Sequence, residues 1–235
     1  MSDEIKHECA VALAVLKKPA SAAGDFGGTK LSLLLEKQHN RGQDGAGAAI
    51  LASHPSPGSA PYAIFKSASQ TPLADLLGMI AKRTPRADER IFLGHLRYAT
   101  FGKNDVAFCH PFIHESSELR HTLLLAGNFN LTNAGELFEG YARDGAFPTS
   151  RADGYLVTAL VSRELERGKT LREALGKALE NADGAWTLCG MTGDGWAFAT
   201  RDPNGIRPAF MYENGEVAVV ASERPAIQAA FDVAP

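Results

Sequence analysis

Between residues 170 and 182, apolar positions fall at Leu171, Ala174, Leu175, Ala178 and Leu179. That i, i+3, i+4, i+7, i+8 spacing lines one face of a helix. Thr170 and Glu173 stand three apart at its start, the spacing of a capping box, in which each side chain satisfies the other residue's free backbone N–H. Similar patterning predicts helices over 29–38, 73–82, 134–144 and 153–166, and Asn133 with Glu136 offers a second box for the helix at 134. Short apolar or alternating runs predict strands at 10–16, 46–52, 62–66, 91–95, 122–126, 185–191, 195–200, 208–212 and 217–221. The Ser/Pro/Gly-rich stretch 53–61 (SHPSPGSAP) reads as a surface loop. Turn signals at Gly193-Asp194-Gly195, at 202–205 (DPNG) and at 213–216 (ENGE) make 193–222 a β-meander. Strands run in succession at both ends of the chain and helices group between them. That order predicts an antiparallel α+β architecture in a single domain rather than a βαβ alternation.

Composition narrows the function classes. Of 235 residues, 45% are hydrophobic and 22% charged, and the 24 basic and 27 acidic side chains leave a formal net charge of -3 with no block of like charge. No nucleic-acid or membrane surface is implied, so the expected partner is a small molecule or another protein domain. Asp3, Glu4 and Glu8 occupy the region that would have to be basic in a signal peptide. Cys9, Cys109 and Cys189 are odd in number and far apart, which argues against a disulfide framework and a zinc site and for a reducing, cytoplasmic setting. No cofactor or metal is expected.

Beside AVALAVL, Cys9 reads on its own as a small buried hydrophobe. Its company changes that reading. QHNRGQDGAG (38–47), GHLRYATFGK (94–103), LAGNFNLTN (125–133) and RDPNGIRP (201–208), then VASE (220–223), occur in this order. The set resembles the glutaminase domain of the glutamine phosphoribosylpyrophosphate amidotransferases, class II amidotransferases with an N-terminal nucleophile, from Cys9 to about Glu223. The resemblance implies a four-layer αββα sandwich of two antiparallel sheets, the N-terminal nucleophile hydrolase fold. It implies removal of residues 1–8 as a leader, leaving 9–235 as the glutaminase domain with Cys9 bearing a free α-amine. Such an amine, with a reference pKa of about 7.7–8.0, can take the thiol proton near neutral pH, so one residue supplies nucleophile and base. The substrate implied is L-glutamine.

By the same resemblance Arg97 holds the α-carboxylate of glutamine as a bidentate fork, and Tyr98 and Thr100 belong to a loop that closes over it, with Gly102 giving freedom to move. Asn128 donates its side-chain amide to the oxyanion. The second donor is the backbone N–H at 129, where Phe129 replaces the usual glycine, and a positive φ there would strain it. Asp153 pairs with the α-ammonium; alternatively Ser150-Arg-Ala-Asp153 is a capping box and Asp153 only starts a helix. Arg41 braces the site wall, His110 stands behind it, Ala10 replaces a glycine after the nucleophile, and 202–208 is a structural turn. The family also implies a phosphoribosyltransferase domain or subunit as ammonia acceptor. Its diphosphate-binding loop is not found in 1–235. A homo-oligomer is left open. Two other readings stand beside this one: an N-terminal-nucleophile hydrolase of another amide, and a non-catalytic domain that keeps residues 1–8.

Overall fold

A computed structural model describes residues 8–18, 25–54, 58–99 and 105–234. Six strands form one antiparallel sheet: β1 (Ala10–Leu16), β2 (Gly45–Ala52), β3 (Tyr62–Ser67), β4 (Glu89–Arg97), β9 (Phe210–Glu213) and β10 (Val217–Ala221), in the order β3-β2-β4-β1-β10-β9. The other sheet holds β5 (Phe112–His114), β6 (Leu123–Leu131), β7 (Gly184–Thr192) and β8 (Ala197–Arg201), in the order β5-β6-β7-β8. The helices are α1 (Phe26–Glu36), α2 (Pro72–Lys82), α3 (Ala134–Arg143), α4 (Asp153–Glu166), α5 (Leu171–Leu179) and α6 (Arg224–Phe231).

Strand alternation builds the layers, because successive side chains leave a strand on opposite faces. Even-numbered residues of β1, β2 and β4 (Ala10, Ala12, Ala14, Ala46, Ala48, Ile50, Phe92, Leu96) pack with Leu31, Leu34, Leu76 and Ile227 of α1, α2 and α6. Their odd-numbered neighbours Val11, Leu13, Ala49, Leu51, Ile91 and Leu93 meet Leu124, Ala126, Cys189 and Met191 of the second sheet. That sheet turns Leu123, Leu125, Trp186 and Leu188 the other way, onto α4 and α5. The result is the expected αββα sandwich, with both sheets antiparallel throughout.

Several local expectations change. The stretch 193–222 is not one meander: β8 pairs β7 in the smaller sheet, while β9 pairs β10 in the larger. The 202–209 turn therefore crosses between sheets, and buried Asp202 holds it by accepting N–H bonds from Trp186 of β7 and from Asn204 and Ile206. The Thr170–Glu173 capping box forms, but Asn133 makes no cap bond; its amide binds Asn181 O and Asp183 N–H, tying α3 to the turn before β7. Strand β5 has only three residues and α6 eight; neither was expected, being too short for a periodic signal. Residues 55–57 of the 53–61 loop lie outside the described residues.

Candidate active site

The same alternation that builds the core gathers the chemistry. Cys9 precedes Ala10 on β1 and continues its odd-numbered, inward face, as do His95 and Arg97 on β4; Asn128 continues the inward face of β6 marked by Leu124 and Ala126. Ala10 pairs with Leu96, so Cys9 sits beside the end of β4. Its Sγ accepts the Tyr98 N–H at 3.4 Å and lies 3.7 Å from Tyr98 O. Burial pushes the Cys9 thiol above its ordinary pKa, opposed by the Tyr98 backbone and by the charges of Arg97 and Arg41. The thiol form is therefore favoured at neutral pH with residue 8 attached, and a base is needed to make the thiolate.

Segment 38–44 is pressed against the same strand end. A Cβ on Gly42 would lie 2.7 Å from the backbone of Leu96 and Arg97, so only glycine fits there. The Asp44 N–H donates to Arg97 O, and its carboxylate accepts the Ala99 N–H. This seating carries Arg41 to Cys9: its Nε donates to Cys9 O at 3.2 Å and its Nη2 to the Glu8 carboxylate at 2.8 Å. Glu223 of the VASE segment lies 3.6 Å from Arg41 and accepts from Asn40. Arg41 thus bonds to the main chain of Cys9.

Glu8 was read from sequence only as an acid that excludes a signal peptide, yet its carboxylate is a junction. It accepts from Arg41, from the Asn128 side-chain amide at 3.3 Å, and from Arg207 of the sheet-crossing turn. Arg207 was read only as part of a structural turn. These contacts span 33, 120 and 199 residues of sequence, and a motif reads none of that separation. Arg97 is buried on the inter-sheet side, its guanidinium 5.7 Å from the Phe108 ring.

Phe129 lies within β6, and Asp232 is the one non-glycine residue with positive φ among the described residues, so the strain foreseen at 129 does not arise. The Gly127 N–H points to the β5 side of β6, where it meets His110 Nδ1 at 3.1 Å. Every second residue of a strand points its N–H the same way, so those of Phe129 and Leu131 share that side. Burial raises the Asp153 pKa and a backbone hydrogen bond from Leu131 lowers it; the balance is upward. Asp153 is the first residue of α4, its cap residue is Ala152, and the Ser150 hydroxyl accepts the Ala152 N–H, so the capping box at 150–153 does not form. Thr100 and Gly102 lie outside the described residues. Among the described residues no group of three or more His, Cys, Asp or Glu could hold a metal, the cysteines are free, and no helix is long and apolar enough to cross a membrane.

The αββα layering is that of two solved structures. The glutamine phosphoribosylpyrophosphate amidotransferase from B. subtilis, complexed with ADP and GMP, superposes at a TM-score of 0.74 over 94% of this chain and 43% of its own, with 24% identity. An allosteric regulatory enzyme of purine biosynthesis superposes at 0.70, with 23% identity and the same coverage. Residues 109–229, just over half of the sequence, match the family model described as "Glutamine amidotransferase domain", and the chain belongs to that family. It is 32% identical over 133 residues to the amidophosphoribosyltransferase of Methanocaldococcus jannaschii, and 32% over 137 residues to that of Staphylococcus epidermidis. Those alignments cover 57% of this chain but 28% and 26% of the relatives. Asn128, Phe129, Asp153 and Arg207 fall inside the family match; Cys9 and Arg97 precede it.

Proposed function

We propose that this domain hydrolyses L-glutamine to glutamate and ammonia, with Cys9 as nucleophile after residues 1–8 are removed. The observation that carries the reading is the side-chain amide of Asn128 donating to an anionic oxygen, that of Glu8, on the residue joined to Cys9. In the leader-bearing chain the Glu8 carboxylate occupies the donor that the reaction needs. Cleavage of the Glu8–Cys9 bond frees this donor and creates the α-amine.

In the reaction, the Cys9 α-amine takes the thiol proton and Sγ bonds to the carboxamide carbon. The tetrahedral oxyanion accepts from Asn128 Nδ2 and a backbone N–H at 129, groups fixed before charge develops. The C–N bond then breaks, nitrogen takes the proton back, and ammonia leaves. Water, deprotonated by the same amine, hydrolyses the γ-glutamyl thioester. Arg97 holds the α-carboxylate and Asp153 the α-ammonium, while Tyr98 and Thr100 cover the substrate. Arg41 fixes the main chain of Cys9, and His110 supports β6 from behind. The ammonia goes to a phosphoribosyltransferase domain or subunit, where it yields 5-phosphoribosylamine for purine synthesis.

The test is glutamate release by the purified chain and by Cys9→Ala. Turnover by the parent, abolished in a variant of unchanged circular dichroism, supports the reading. Turnover retained by Cys9→Ala rules it out, as does a folded parent beginning at Cys9 that turns over other amides but not glutamine.

A further inference from the structure

Two buried histidines from different sheets grip the residue before Asn128. His95, on β4 of the six-stranded sheet, donates Nε2–H to the carbonyl of Gly127 on β6 at 3.0 Å. His110, just ahead of β5, accepts the N–H of the same Gly127 on Nδ1 at 3.1 Å. The two rings stack with centroids 4.0 Å apart and planes 9° apart. Phe112 pairs with Leu125, and carrying that register two residues further brings 110 opposite 127. The His110 carbonyl lies against Gly47 of β2, where a Cβ would come within 1.9 Å of it, and the His110 side chain takes up the Gly127 N–H instead.

Nothing in this arrangement has slack. A Cβ on Gly127 would meet Leu188 Cδ2 at 2.5 Å and Thr187 O at 2.9 Å, so β6 is tight against β7 on its other side. The His110 ring sits edge-on to Phe112 at 4.9 Å and near Phe129 at 5.6 Å. A Cβ on Gly154, next to Asp153, would lie 3.1 Å from His110 Cε1. The pair therefore stands where three site-bearing elements meet: β4 with Arg97, β6 with Asn128 and α4 with Asp153. Accepting on Nδ1 requires the His110 ring to be neutral, and burial holds its pKa well below its ordinary value, as it holds that of His95 at about 3.

We propose that His95 and His110 are positioning residues that, by clamping both main-chain groups of Gly127, register the two sheets and aim the amide of Asn128 at the oxyanion. The proposal rests on the glutaminase reading above. An oxyanion donor acts in the transition state, and losing one costs about 100- to 1,000-fold in kcat. A misaimed donor costs part of that while leaving ground-state binding of the glutamine α-groups in place.

The experiment measures kcat and KM for glutamine in His110→Phe, His110→Asn and His110→Gln, and in His95→Phe and His95→Gln, alongside Cys9→Ala. Asparagine places a carbonyl oxygen near the Nδ1 position of His110, and glutamine places an amide nitrogen near the Nε2 position of His95. We expect kcat to fall about 10- to 100-fold in His110→Phe and His95→Phe, with KM changed less than about threefold, and to recover most of the loss in His110→Asn and His95→Gln. If the phenylalanine variants fail to fold, His110→Asn against His110→Gln decides, because the longer side chain carries its oxygen past the Gly127 N–H. Equal kcat in those two, or an unchanged kcat in a folded phenylalanine variant, overturns the proposal. Exchange of the Gly127 amide, followed by NMR, should speed up at least tenfold in His110→Phe and return toward the parent in His110→Asn; exchange as slow as in the parent also overturns it. That readout stands if the parent chain does not turn over glutamine, so failure of the clamp and failure of the glutaminase reading are told apart.

Discussion

Removing the Asp202 carboxylate should loosen the junction between the sheets more than any surface change could. The side chain is only 3% exposed. Its oxygens accept from Asn204 N at 3.0 Å, Ile206 N at 3.1 and 3.2 Å, and Trp186 N at 3.2 Å. Burial acts to raise its pKa, but the N–H groups of Ile206, Trp186, Arg207 and Asn204 outweigh it and hold the carboxyl below the usual range. A hydrogen bond to a charged group contributes about 1.5–3 kcal/mol net. Donors sharing one carboxylate are not additive, so Asp202→Ala should cost about 3–4 kcal/mol, and Asp202→Asn, which keeps one acceptor oxygen, about half. For a domain of this size each kcal/mol shifts Tm by about 2–4 °C, giving a fall of about 6–16 °C for the alanine variant in calorimetry. Because the folded pKa is depressed, this stabilisation is full above the unfolded carboxylate pKa of about 3.9 and is lost as pH falls through the folded value. The difference between parent and Asp202→Asn should hold from pH 7 to about 5 and shrink below 4. A loss under about 1 kcal/mol in Asp202→Ala, or a difference that widens on acidification, would refute the reasoning.

Other substitutions test the substrate contacts. Arg97→Lys keeps the charge but not the fork, and should lower kcat/KM for glutamine by about 10- to 100-fold, mainly through KM, as about 1.4–2.7 kcal/mol of charge-assisted bonding is lost; steady-state kinetics identical to the parent would remove Arg97 from the site. Asp153→Asn should raise KM sharply with little change in Tm, because the residue closes no capping box; lower stability at normal KM would show a structural role instead. Phosphoribosyl diphosphate added to the chain should leave glutamate release unchanged and form no phosphoribosylamine, both measurable in one coupled assay, and either effect would reveal a second site within 1–235.

The central strands β1, β2 and β4 of the six-stranded sheet were legible because each buries two faces that alternate along its length: the run Ala10–Leu16 splits cleanly into helix-facing alanines and inward-facing Val11 and Leu13. What a hairpin signal cannot say is which sheet a strand joins. Asp202 decides that for β8 and β9 through a bond to Trp186, sixteen residues away. The αββα layering followed from family motifs rather than from periodicity, and Cys9 was chosen as the candidate nucleophile on the same motifs. Glu8, Arg207 and His95 were missed for a common reason: an acid in a charged N-terminal stretch, an arginine in a turn and a histidine in an apolar strand each look ordinary locally. Their roles come from partners across the sheet interface.

The central claim is that Cys9 acts as an N-terminal residue, and intact-mass spectrometry of the active protein tests it most directly. The account predicts a single species beginning at Cys9, gaining the mass of one γ-glutamyl group when glutamine turnover is quenched in acid, with no adduct on Cys9→Ala. A homogeneous, fully active preparation that retains residues 1–8 would contradict it.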